Sequence, residues 1–94
     1  MEDLAPSDDG YATISVVGSL GILSDGKRIG ALRVEAPSKL GDLLKQVETK
    51  YSTELRRDSM LVLVNGVEAG ALDGLETLIH AGDAVVLLPM LHGG

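Results

Sequence analysis

Residues 84–94 read Ala84-Val85-Val86-Leu87-Leu88-Pro89-Met90-Leu91-His92-Gly93-Gly94. An apolar run of strand length stops at a proline, and a short tail follows that closes on two glycines. Most strands pass into a polar turn that leads onward. This one leads to a carboxylate on Gly94. The expectation is that this carboxylate is the reactive group and that the rest of the chain presents it.

Working outward, the nearest partner for that strand is Met60-Leu61-Val62-Leu63-Val64, followed by Asn65-Gly66. Asn-Gly supplies two consecutive positive-φ positions, so a tight hairpin returns through Val67-Glu68. Between the two segments, Leu72, Leu75, Leu78 and Ile79 punctuate a Gly-rich connection. They are expected to plug the end of the core. Ala81-Gly82-Asp83 is a turn, with Asp83 bracing it through backbone hydrogen bonds.

Upstream, residues 11–17 (Tyr-Ala-Thr-Ile-Ser-Val-Val) alternate as a strand, with Ile14 and Val16 on one face and Thr13 and Ser15 on the other. Residues 18–23 prolong or bend it. Ser24-Asp25-Gly26-Lys27 is a turn, and residues 29–36 return with Leu32 and Val34 inward. After Pro37 the period changes from two to 3.6: Leu40, Leu43, Leu44, Val47 and Tyr51 form one helical stripe. Ser38 is the expected N-cap, Asp42 lies near the positive end of the helix dipole, and Gly41 offers close packing on the sheet. Residues 52–59 are a polar connection, in which Arg56-Arg57 reads as a solvated basic spot.

The order is strand, strand, helix, strand, short strand, turns, strand. One helix must bury its stripe on one face of a sheet. With the terminal strand beside the first, this predicts an α+β fold of the β-grasp, ubiquitin-like kind. Residues 1–10 are an acidic, flexible lead-in, residues 11–90 the single domain, and residues 91–94 a flexible tail.

Composition narrows the chemistry. The 94 residues suit one domain, and there is no cysteine, which excludes disulfides and thiolate chemistry or ligation from this chain. His80 and His92 are the only histidines and lack a ligand-like spacing, so no metal and no bound cofactor are expected. Eight basic against fourteen acidic residues give a net charge of -6, which argues against direct nucleic-acid binding and favours a partner with a basic docking surface. No apolar run approaches the roughly 18 residues of a membrane span, and the acidic N-terminus is not a signal peptide. A cytoplasmic location is the default expectation. Tyr11 and Tyr51 are the only aromatics, too few for a base-stacking platform.

Two strands are apolar on both faces. Leu61 and Leu63 oppose Met60, Val62 and Val64, while Val85, Leu87 and Pro89 oppose Val86, Leu88 and Met90. One set meets the helix. The other is either shielded by loops or left as a patch for a partner protein beside the tail. Alternation alone leaves open which set is outside. The docking candidates are Met60, Val62, Leu87 and Pro89, together with Leu91 and His92.

A Gly-Gly end lets backbone thread a narrow channel, which suits a carboxylate carried into another protein's active site. Attack on the α-phosphate of ATP would give an acyl-adenylate. A sulfur donor could then form a thiocarboxylate, or an amine an amide. No Ser-His-Asp, Cys-His or paired-carboxylate constellation is suggested by spacing, so the catalytic groups belong to the partner. His92 is either a docking donor or an incidental surface histidine.

Leu63-Val64-Asn65-Gly66, Leu72 to Ile79, Gly82-Asp83, Val85 to Pro89 and Gly93-Gly94 together resemble the C-terminal half of the ubiquitin-like sulfur carriers. These include the molybdopterin synthase small subunit, the thiamine sulfur carrier, and the Urm1-type modifiers with their archaeal relatives. Residues 38–44 resemble the start of the family helix, and Leu91-His92-Gly93-Gly94 is most similar to the Urm1-type tail. The first hairpin matches only loosely. The resemblance implies that an E1-like enzyme uses ATP to adenylate Gly94. It further implies that a sulfur donor or sulfurtransferase converts Gly94 to a thiocarboxylate. The sulfur would serve molybdopterin or thiamine synthesis, through a catalytic synthase subunit, or tRNA 2-thiolation, through a thiolating enzyme. In this reading the chain is a carrier rather than an enzyme. Two alternatives stand beside it: a protein modifier joined through Gly94 to target lysines, and a β-grasp binding module whose tail is unused.

Overall fold

A computed structural model describes residues 10–90. Strand β1 (Tyr11–Val16) buries Ala12, Ile14 and Val16 and turns Tyr11 and Thr13 to solvent, as its alternation requires. A 3₁₀ turn over Gly18–Gly21 then bends the chain rather than prolonging the strand. Gly26, at φ +86°, closes the following turn, where the Lys27 N–H bonds the Asp25 carboxylate at 3.0 Å. Strand β2 (Ala31–Glu35) returns antiparallel to β1.

Residues 38–39 form a two-residue strand, β3 (Ser38–Lys39), paired with β6 (Leu78–Ile79). Ser38 is therefore not the helix N-cap. Its hydroxyl donates to the Glu35 carbonyl at 3.0 Å, and the Leu40 N–H is satisfied instead by the Thr77 carbonyl at 2.8 Å. Helix α1 (Leu40–Tyr51) places Leu40, Leu43, Leu44 and Val47 in the core. It ends with Ser52 at φ +51° and the Thr53 N–H on the Glu48 carbonyl, a Schellman closure made without glycine. Gly41 approaches the Gly74–Glu76 turn rather than the sheet: a Cβ there would lie 3.4 Å from Leu75 Cβ. Within the polar connection, Leu55 is buried, and its N–H is held by the Glu48 carboxylate at 2.8 Å.

Strands β4 (Met60–Val64) and β5 (Val67–Glu68) form the expected hairpin, with Asn65 at φ +51° and Gly66 at φ +84°. The leucine-punctuated connection behaves differently from expectation. Leu72, Leu75 and Leu78 are 42–49% exposed, and Ala69, Thr77 and Ile79 are the buried residues. For Leu78 and Ile79 the reason is the β3–β6 pairing. With the Thr77 carbonyl committed to Leu40, alternation puts residues 77 and 79 inward and 76 and 78 outward.

Strand β7 (Ala84–Pro89) completes a five-stranded mixed sheet of order β2-β1-β7-β4-β5. It runs parallel to β1 and antiparallel to β4. One face of this sheet packs on α1. The chain therefore has the β-grasp fold expected from its element order, with the strand that leads into the tail at the centre of the sheet.

Candidate functional site

The site is built around β7, and its two ends are fixed by different residues. At the entry, Asn65 ties the β4–β5 hairpin to the turn before β7. Its side chain accepts from the Ala84 N–H at 2.9 Å and donates to Asp83 Oδ1 at 3.0 Å, and its own N–H reaches the Ala84 carbonyl at 2.7 Å. Asp83 also accepts from the His80 N–H at 2.8 Å. Partial desolvation of Asp83 works to raise its pKa. The hydrogen bonds from Asn65 and His80 outweigh it and hold the carboxyl below the ordinary range. The Asn-Gly and Gly-Asp motifs are thus one structural clamp, and Asp83 does more than brace its own turn.

At the exit, Pro89 pairs with Met60, and the Met90 N–H donates to the Ser59 carbonyl at 2.9 Å. From the β1 side, the Val17 N–H donates to the Leu87 carbonyl at 2.9 Å. Gly18, at φ +67°, lies so close that a Cβ there would be 3.3 Å from Pro89 Cγ. The exit end of β7 is thereby held from both neighbouring segments, with Met90 itself held by Ser59. Leu91, His92, Gly93 and Gly94 lie outside the described residues.

Met60 and Leu87, two of the docking candidates, are in the core at 3% and 0% exposure, facing the helix together with Val64 and Val85. They offer no surface to a partner. Val62 and Pro89 share this inner side and are half-buried, with Val62 packed against the core. The outward set is the alternate one: Leu61, Leu63, Val86 and Leu88 are half-buried, with Leu61 opposite Leu88 and Leu63 opposite Val86. Cross-strand pairs in such register lie close enough to form one continuous patch. Met90 follows Leu88 by two residues and is exposed. On the β1 side the patch ends at Ser15, which is paired with Val86. Further out, the Arg33 guanidinium covers the Tyr11 ring at 4.3 Å. The signal that could have identified this set is the polarity of β1. Thr13 and Ser15 mark the outer face, and the parallel register carries that assignment across to Ala84 and Val86.

Among the described residues, no cluster of three or more His, Cys, Asp or Glu side chains is placed to hold a metal. No described helix is long and apolar enough to cross a membrane. His80, 3.6 Å from Asp83, is part of the entry clamp.

The sequence matches the ThiS family over residues 23–94. It is 32% identical over 76 residues to a ubiquitin-related modifier 1 homolog of Caenorhabditis elegans, covering 67% of this chain and 76% of that protein. It is 36% identical over 70 residues to small archaeal modifier protein 3 of Haloferax volcanii, covering 66% and 76% of the two chains. The solution structure of small archaeal modifier protein 1 from Methanosarcina acetivorans superposes with a TM-score of 0.71 at 23% identity, over 90% of this chain and 97% of that one, a likeness of fold.

Proposed function

The chain belongs to the ThiS family of ubiquitin-like sulfur carriers and modifiers, and from that premise we propose that it carries sulfur as a thiocarboxylate on Gly94. The observation that carries this reading is the family match itself, which continues through Gly94. An E1-like enzyme binds the tail, and a Gly94 carboxylate oxygen attacks the α-phosphate of ATP. Pyrophosphate leaves and an acyl-adenylate remains. Hydrosulfide-level sulfur from a donor or sulfurtransferase then adds to the acyl carbon, and AMP departs with the original oxygen. Sulfur next passes to a synthase subunit making molybdopterin or thiamine, or to an enzyme thiolating tRNA. Gly93 lets the backbone enter the partner's channel, and Leu91 and His92 contact its mouth. The half-buried patch of Leu61, Leu63, Val86 and Leu88 docks on the partner's surface.

Conjugation to lysine is the second reading, favoured by the modifier names of both sequence relatives. The two separate by intact mass after incubation with the activating enzyme, ATP and a sulfur source. A mass gain of one oxygen-to-sulfur exchange supports the carrier. Adducts that release Gly-Gly-modified lysine support the modifier. A residue added after Gly94 is expected to abolish thiocarboxylate formation while leaving the fold intact. Thiocarboxylate accumulating on such an extended variant would sink the proposal.

A further inference from the structure

The helix side of the sheet carries a second surface, separate from the outer apolar patch. A groove of about 220 Å³ has Val62, Leu75, Arg57 and Glu68 along its accessible walls, over a floor of the buried Leu40, Leu44 and Met60. Small-molecule pockets run to about 300–1,000 Å³, so this groove is small for a cofactor and suits an apolar side chain. Leu75 stands 43% exposed beside it.

The charges around the groove are unevenly engaged. Glu76 is taken by Lys39 at 2.8 Å, and Glu68 accepts from the Gly70 N–H at 3.0 Å. Arg56 and Arg57 are exposed, and neither has an ion-pair partner among the described residues. In a chain of net charge -6, Arg57 thus stands at the apolar groove across from Glu68, with Arg56 next to it in the chain, and neither arginine is ion-paired among the described residues.

The position of the rim links it to the tail. Arg57 precedes by two residues Ser59, whose carbonyl holds the Met90 N–H. Residues 91–94, even fully extended, reach at most about 14 Å from Met90. Any protein that encloses Gly94 therefore comes within about 14 Å of Met90, and so close to the Ser59 corner that Arg57 adjoins.

We propose that Arg57 and the groove beside Leu75, with Arg56 adjoining in the chain, form a second docking surface. Its occupant is a segment of the adenylating partner that presents an apolar side chain next to one or more carboxylates. The inference rests on the carrier reading above. The apolar residue enters the groove, and the carboxylates meet the guanidiniums, whose planar fork suits bidentate pairing. The acidic carrier thus docks on a mainly basic partner but requires one local patch of opposite polarity, which fixes its orientation.

The test measures binding and chemistry separately. Binding of the full chain to the purified adenylating enzyme of the same organism is followed by calorimetry without ATP, and adenylation by pyrophosphate exchange at saturating carrier. The R56E/R57E double variant and Leu75→Asp should each raise Kd about tenfold or more, with thermal melts confirming that both fold. R56K/R57K should stay near wild type. The double charge reversal should also make binding less sensitive to salt. Reversed variants that bind within about twofold of wild type overturn the proposal. Self-association of the wild type that Leu75→Asp abolishes would assign the groove to a second copy, and likewise overturns it. Wild type that binds with these variant effects but supports no pyrophosphate exchange leaves the docking surface standing and refutes the carrier reading. Wild type that does not bind the enzyme refutes both.

Discussion

Replacing Asn65 tests whether the Asn-Gly and Gly-Asp motifs act as one clamp. Asn65→Gly keeps the positive φ and the backbone bond to Ala84 but removes two side-chain bonds, at 2.9 and 3.0 Å. One goes to a neutral N–H, worth about 1 kcal/mol, and one to a carboxylate, worth about 1.5–3 kcal/mol. Both are exposed, which favours the lower end. Glycine's extra freedom in the unfolded chain is offset by its comfort at positive φ. The expected loss is about 2 kcal/mol. Asn65→Ala adds the cost of a left-handed alanine, about 1 kcal/mol, for a total near 3 kcal/mol. In a domain of this size 2 kcal/mol lowers Tm by about 8–16 °C. Urea unfolding followed by circular dichroism should show a lower midpoint at unchanged slope. Combined with Asp83→Ala, the losses should fall short of additive by about 1 kcal/mol. An Asn65→Gly variant within about 0.5 kcal/mol of wild type, or strict additivity with Asp83→Ala, would refute the clamp.

Four further substitutions probe the same frame. Gly21→Ala should destabilise by about 2 kcal/mol, because its Cβ would lie 2.8 Å from the Ile29 carbonyl oxygen, a backbone atom that cannot rotate away; thermal melts measure it. Leu87→Ala should cost about 3 kcal/mol. Leu88→Ser should cost about 1 kcal/mol or less while weakening binding of the adenylating enzyme, so equal stability losses at the two positions would reverse the assignment of faces. The depressed Asp83 pKa contributes stability that is complete above the ordinary carboxyl value near about 4 and is lost as pH falls through the lower folded-state value. Asp83→Asn should therefore flatten the acid limb of urea midpoint against pH below about pH 5.

The fold was legible because three signals were local: the alternation of β1, the helical stripe of α1 and the Asn-Gly hairpin. Each depends on residues within a few positions of one another, so periodicity and turn chemistry suffice. The misreadings share the opposite character. Ser38 reads as a cap because its sequence context is right. Its hydroxyl turns back to Glu35 because a carbonyl from Thr77, nearly forty residues away, already satisfies Leu40. Leu72, Leu75 and Leu78 look like core by hydropathy but are exposed, Leu78 because the β3–β6 pairing turns it outward. Met60 and Leu87 looked available because both faces of their strands are apolar. Only the parallel register with β1 tells the inner from the outer set, and register is a long-range property.

The same register bears on how the tail is presented. A carboxylate delivered into another protein's active site gains from a fixed point of departure, since a misplaced reacting group forfeits much of the advantage of proximity. An edge strand would give a poor base, because half of its backbone bonds would be open to fraying. Here the tail leaves a central strand bonded to β1 on one side and β4 on the other. Asn65 and Asp83 hold its entry, and Ser59 and Gly18 meet its exit. The clamp at the entry lies at the far end of β7 from Met90, so its motifs need not touch a partner to matter for function. They set the register of β7 against β4. A one-residue slip of β7 there would turn Val86 and Leu88 inward and expose Leu87, breaking the patch shared with Leu61 and Leu63. It would also move the tail's origin by about 3.3 Å along the strand. Residues that read as hairpin and turn signals thus fix both the apolar face and the starting point of the tail.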